Sequence, residues 1–147
     1  MFGLLGEKLG HSFSKEIHES INDYKYNLIE VSKDKFNSFM EQRNFKAINV
    51  TIPYKQSVIP FLSYIDPKAK QIGAVNVVKV EHVETQTILK GYNTDWIGFQ
   101  QSIAPLLDAR HTKALILGTG GAAKAIAYAL KQMNIPFTYV SRNPHKG

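Results

Sequence analysis

No cysteine occurs in the 147 residues, so disulfides and thiolate metal sites are excluded. Long apolar runs are also missing. No stretch approaches the ~20 apolar residues of a membrane helix. The start, Met1-Phe2-Gly3-Leu4-Leu5-Gly6-Glu7, lacks the basic n-region of a signal peptide. These absences point to a soluble, cytoplasmic protein without membrane partners. The five histidines, His11, His18, His82, His111 and His145, show no metal-ligand spacing, and no metal site is expected. No Gly-x-Ser-x-Gly elbow is present, so a serine hydrolase has little support. Acids are the scarcer charge, 12 against 18 Lys and Arg, for a formal net charge of +6. The lysines are scattered, and no basic run is interleaved with aromatics, which ranks nucleic acid last among partners. A mildly positive field suits an anionic small molecule and a phosphorylated cofactor.

What is present is enough for a packed core, since 44% of the residues are apolar. The pattern is α/β. Short strands are predicted at 2–6, 26–31, 47–50, 74–80 and 87–92, the last two as a hairpin. Helices are predicted at 15–23 with Ser14 as N-cap, from Ser32 with Phe36, Phe39 and Met40 on one face, and over 54–62. Asp66-Pro67 starts a further helix that ends at Gly73, and Thr94 caps a longer one that Pro105 stops or kinks. A polar stretch, Asp108-Ala109-Arg110-His111-Thr112, divides this unit (1–108) from a second (109–147). The second reads as a strand at 113–117, an Ala-rich helix at 120–133 and a strand at 137–141, one βαβ unit. Two parallel strands and one helix leave a sheet edge and a sheet face open. The chain is therefore expected to be a truncated form of a longer protein.

Three phrases carry chemistry. Asn49-Val50-Thr51-Ile52-Pro53-Tyr54-Lys55 and Gly91-Tyr92-Asn93-Thr94-Asp95 each place an ionisable side chain where a strand gives way to a helical pattern. Lys55 and Asp95 are candidates for a facing ammonium–carboxylate pair that holds a hydroxyl and moves its proton. Taken singly, each has a plain structural explanation as a first-turn residue. Ser12 and Ser14, beside His11, could point two hydroxyls at one carboxylate, or serve as a turn and a cap. Asn49 and Asn76 put amides in apolar strands, where they need partners.

The third phrase is Gly118-Thr119-Gly120-Gly121-Ala122-Ala123, between a strand and a helix. There Gly118 permits a tight turn, Gly120 admits a pyrophosphate to backbone N–H groups, and Ala123 permits close helix–strand packing. About 23 residues after Gly118 comes Ser141-Arg142-Asn143, where an NAD site would carry an acid. Arg142 can instead clamp a 2′-phosphate, which favours NADP.

In register along the chain, these phrases resemble the shikimate dehydrogenase family. Gly6-Glu7-Lys8-Leu9-Gly10-His11-Ser12-Phe13-Ser14-Lys15-Glu16-Ile17-His18 is similar to its carboxylate loop, and 49–55 to its catalytic-lysine motif. Gly73-Ala74-Val75-Asn76 and 91–95 are similar to its remaining substrate motifs, and 118–123 with 141–143 to its NADP motifs. The resemblance implies a substrate domain on a mixed sheet followed by the start of a Rossmann NADP-binding domain. It implies reversible NADPH-dependent reduction of 3-dehydroshikimate to shikimate. By position, Ser12 and Ser14 would bind the substrate carboxylate, and Asn76 and Asp95, with Thr51 beside them, the ring hydroxyls. Lys55, paired with Asp95, would be the acid/base group. Lys15 and Glu19 stand where the family usually has proline and asparagine, which bears on substrate affinity. Family members also continue past Gly147. The 147 residues alone are therefore expected to be inactive and to self-associate through apolar faces. Two rivals stay open: a quinate/shikimate dehydrogenase with relaxed cofactor choice, and a non-catalytic shikimate- or nucleotide-binding paralogue.

Overall fold

The computed structural model describes residues 1–142, so Asn143 lies outside the described residues. Six strands form one mixed sheet: β1 (Phe2–Gly6), β2 (Tyr26–Glu30), β3 (Ala47–Val50), β4 (Tyr64–Ile65), β5 (Val77–Val83) and β6 (Gln86–Tyr92). Their order is β2-β1-β3-β5-β6-β4. Strands β1, β2 and β3 run parallel, β5 is antiparallel to β3, and β6 is antiparallel to β5. One edge of the sheet therefore collects the C-terminal ends of β1, β3 and β6 together with the start of β5. The segments that leave or enter there are 7–13, 51–55, 93–95 and 73–76, which carry most of the polar residues singled out above.

Helices α1 (Ser14–Ile21), α2 (Phe36–Gln42), α3 (Pro67–Ile72) and α4 (Asp95–Ile103) join these strands. The main core holds Leu5, Met40, Ile48, Val50, Tyr54, Val58, Val78 and Leu89. Phe36 stacks on Tyr54 within it. None of the described helices is long and apolar enough to cross a membrane.

Local signals decided α3. The Asp66 side chain accepts from the N–H groups of Lys68 and Ala69 at 3.0 and 3.2 Å, and Gly73 ends the helix at φ 71°. Other expectations need correction. Residues 54–62 are not an α-helix: 52–58 form successive turns, followed by a 3-10 turn at Ile59–Phe61. Pro60 lacks the N–H that a helix interior would use. Helix α1 starts at Ser14 itself, and the Ser14 N–H donates to the Ser12 hydroxyl at 3.2 Å. Helix α2 starts at Phe36, four positions after Ser32, once a turn has closed. Strand β5 begins at Val77 because Ala74 and Val75 are spent crossing beneath the turns at 52–58, where the Val75 N–H bonds the Lys55 carbonyl. The two-residue β4 gave no sequence signal.

The second sheet pairs β7 (Ala114–Leu117) and β8 (Phe137–Val140) in parallel, with α5 (Gly121–Gln132) between them in sequence. Ile116, Ala123, Ala127 and Leu130 form the core between α5 and this sheet. The other face carries Leu115 and Leu117, 70% and 79% exposed. Helix α5 also packs against the first sheet's elements: Ala125 joins Ile72 and Ala74, and Tyr128 meets Trp96 edge-on. Gly121 sits at the closest approach. A Cβ there would lie 2.9 Å from Lys55 Cβ and 3.4 Å from Ala74 Cβ, whereas one at Gly120 would meet nothing within 4 Å.

Two neighbouring substitutions should therefore differ. Gly121→Ala should cost about 1–3 kcal/mol by overpacking, while Gly120→Ala should stay within about 0.5 kcal/mol of the parent. Urea melts of both variants check this, and equal midpoints would contradict the packing described.

Candidate active site

The strand edge described above opens into a cleft of about 890 Å³. Ser12, Ser14, Thr51, Lys55, Asn76 and Asp95 all line it. They come from four segments spread over more than half the chain, and the topology brings them together. Ser12 and Ser14 present hydroxyls 3.1 Å apart. Lys8, His11, His18 and Asn49 share the same walls. Lys15 and Glu19 do not line the cleft. The Glu19 carboxylate accepts the Tyr26 N–H at 3.0 Å instead.

At the centre, Lys55 Nζ donates to Asp95 Oδ2 at 2.6 Å. The two side chains are only 14% and 30% exposed. Partial burial makes such a pair costly unless its remaining atoms are also held. They are. Asn76 Nδ2 donates to Asp95 Oδ1 at 2.8 Å and to Thr94 Oγ1 at 2.9 Å, while Asn76 Oδ1 accepts the Thr94 N–H at 2.8 Å. Both N–H bonds of the Asn76 amide are thus used within the protein. The Thr94 hydroxyl also lies 3.3 Å from Asn76 Oδ1 and donates to it, so both ends of the amide are held within the protein. Lys55 keeps two of its three ammonium protons for the cleft.

Sequence reasoning missed the part played by Asn93. It is buried, its Oδ1 accepts the Asp95 N–H at 3.0 Å, and its Nδ2 donates to the Ala74 carbonyl at 2.9 Å. This Asx turn starts α4 and does the capping expected of Thr94, whose hydroxyl is committed to Asn76. An asparagine between an apolar strand and a helix start was the available signal. Tyr26 was also missed. Its hydroxyl donates to Asn49 Oδ1 at 2.6 Å, and burial, helped by neighbouring Tyr24, pushes its pKa up.

A phosphorylated cofactor fits the second sheet's loop. Gly118 has φ 101°, which a side chain would strain, and the space over Gly120 is open. The loop runs from β7 into the first turn of α5, so its backbone N–H groups lie at the positive end of a 12-residue helix. Thr119, Gly121 and Ala122 complete the loop, and Ala123 is buried against the sheet. The Gly118 N–H bonds the Val140 carbonyl at 2.8 Å, so the chain after β8, with Ser141 and exposed Arg142, leaves the sheet beside this loop.

Known proteins share this fold. Residues 4–78 match the family model of the shikimate dehydrogenase substrate binding domain. The chain is 40% identical to the shikimate dehydrogenase (NADP(+)) of Clostridium botulinum (strain Hall / ATCC 3502 / NCTC 13319 / Type A), covering 98% of this chain and 58% of that protein. It is 37% identical to the shikimate dehydrogenase (NADP(+)) of Aquifex aeolicus (strain VF5), covering 88% and 50%. The solved shikimate 5-dehydrogenase of Thermus thermophilus, in complex with NADP(H) and shikimate, superimposes with a TM-score of 0.81 at 32% identity, covering 98% and 56%. Shikimate dehydrogenase 1 from Peptoclostridium difficile does so with a TM-score of 0.81 at 34% identity, covering 95% and 53%. The chain spans between half and three-fifths of the length of these relatives. With the match over 4–78 and this agreement in fold, the chain belongs to the shikimate dehydrogenase substrate-binding-domain family.

Proposed function

We propose that this chain supplies the substrate site and the first part of the cofactor site of an NADP-dependent shikimate dehydrogenase. The reaction is the reversible reduction of 3-dehydroshikimate to shikimate. In this reading residues 1–108 hold the substrate, and 109–147 open a Rossmann nucleotide-binding unit. The observation that carries it is the Lys55–Asp95 pair at 2.6 Å, locked by Asn76 inside a cleft lined by two serine hydroxyls.

The roles follow from the chemistry of each group. Ser12 and Ser14 donate hydroxyl protons to the ligand carboxylate. Asn76 and Asp95 bind the ring hydroxyls, with Thr51 alongside. NADPH, when bound, supplies hydride to the carbonyl carbon. Lys55 gives an ammonium proton to the oxygen that gains charge and recovers one in the reverse direction. Asp95 keeps the ammonium aimed. The backbone of 118–121 would hold the pyrophosphate. Arg142 would hold the 2′-phosphate of the adenosine ribose, with Ser141 and Asn143 beside it.

Shikimate-dependent NADP reduction, followed as nicotinamide absorbance on the protein at its native length, tests the reading. Turnover with shikimate and NADP is the expected result. Comparable rates with quinate or NAD would instead indicate a relaxed dehydrogenase, and shikimate binding without reduction a non-catalytic relative. Lys55→Ala should lower kcat by about 10²–10⁴-fold while shikimate still binds in a calorimetric titration. Loss of binding with kcat preserved would remove the lysine's acid/base role.

Arg142→Ala should cut the preference for NADP over NAD by about 10–100-fold, the worth of a charge-assisted bond, read from kcat/KM with each cofactor. An unchanged ratio would reject the clamp. We also propose that the 147 residues self-associate through the Leu115 and Leu117 face. Light scattering should show concentration-dependent mass that Leu117→Lys reduces. A monomer at all concentrations would contradict this.

A further inference from the structure

The phenol of Tyr26 reaches the cleft wall from two strands away. In the sheet, Tyr26 of β2 is paired with Phe2 of β1, and Asn49 of β3 with Leu4 of β1. Tyr26 and Asn49 therefore lie on one face, with Leu4 between them. Tyr26 is 2% exposed, and its hydroxyl donates to Asn49 Oδ1 at 2.6 Å. Its ring is stacked on the His18 imidazole, centroids 4.0 Å apart and planes within 5°. His18 is itself fixed, with Nδ1 2.6 Å from the Tyr24 hydroxyl. The phenol thus has little freedom to turn away.

Asn49 lines the cleft, and no protein acceptor among the described residues takes its Nδ2 protons. An asparagine amide has one acceptor end and one donor end. If the acceptor end is occupied from behind, the donor end faces the ligand. We propose that Tyr26 is a positioning residue for substrate: it holds the Asn49 carboxamide with Oδ1 turned toward the protein and Nδ2 presented to the cleft. The site then meets a ligand oxygen at this point with a fixed donor, which selects a carboxylate, carbonyl or hydroxyl oxygen there and rejects a donor-only group. Burial, which keeps the phenol protonated, keeps the device in one state across the working pH range. The identity of the ligand as shikimate rests on the function proposed above, but the orientation of Asn49 does not.

The test combines a mutant cycle with side-chain NMR on the protein at its native length. Tyr26→Phe keeps the ring and its stack and removes only the hydroxyl. It should weaken shikimate binding about tenfold by calorimetry. In an Asn49→Ala background the same change should cost less than about twofold, because nothing is left to position. An equal loss in both backgrounds would mean that Tyr26 acts on the fold and would overturn the proposal. In the ligand-free protein, the Asn49 Nδ2 group should show a high heteronuclear NOE that drops in Tyr26→Phe. Strong NOEs from the Nδ2 protons to the Tyr26 ring would place the amide nitrogen on the phenol and also overturn it. If the parent binds no shikimate, the proposed function fails, and the NMR result still decides the orientation.

Discussion

An ammonium and a carboxylate held together in a half-buried cleft set the demands that the rest of the site answers. Taking Lys55 and Asp95 partly out of water is favourable only if each spare lone pair and proton finds a partner. Asp95 meets this through Asn76 and through its own N–H on Asn93. Those two asparagines are in turn held by Thr94 and by the Ala74 carbonyl. The two buried amides, Asn76 just before β5 and Asn93 between β6 and α4, are thus there to position one carboxylate. Removing either would strand polar atoms that the apolar strands around them cannot satisfy.

Topology decides why the partners can meet at all. A purely alternating antiparallel sheet would send the segments after β1 and β3 to opposite edges. Because β1 and β3 are parallel, their C-terminal ends share an edge. The antiparallel turnover at β5 and β6 then returns the chain to that same edge twice. The serine hydroxyls, the lysine, Asn76 and Asp95 thereby converge without any one segment being long. The mixed sheet is the simplest arrangement that puts all four segments on one rim.

Local chemistry was legible in the sequence, and long-range pairing was not. Asp66-Pro67 and Gly73 bound α3 correctly because a cap and an αL stop depend on adjacent residues alone. The glycine loop before α5 was readable for the same reason. Residues 54–62 misled because Tyr54 and Val58, four apart and both buried, satisfy helical spacing while the backbone winds through turns. Lys55 and Asp95 stood out in the sequence because each follows closely on the end of a strand, a local mark. Tyr26 carried no such mark. Its meaning lies in Asn49, 23 positions away, and in the register that sets β2 and β3 on either side of β1.

The glycine loop before α5 and the Lys55 side chain form one packed unit. The stem of Lys55 lies where a side chain on Gly121 would go, and Lys124 of α5 donates to Gln56 at 3.2 Å. Interiors resist compression, so a shift of α5 toward the first sheet is transmitted to the lysine stem. The ammonium has a fixed target in Asp95, so such a shift would be taken up along the stem before the pair parts. The missing side chain at Gly121 therefore serves packing, whereas the one missing at Gly120 leaves open space for a ligand. Two glycines that read alike in a motif are kept for different physical reasons, and only the neighbours of each reveal which.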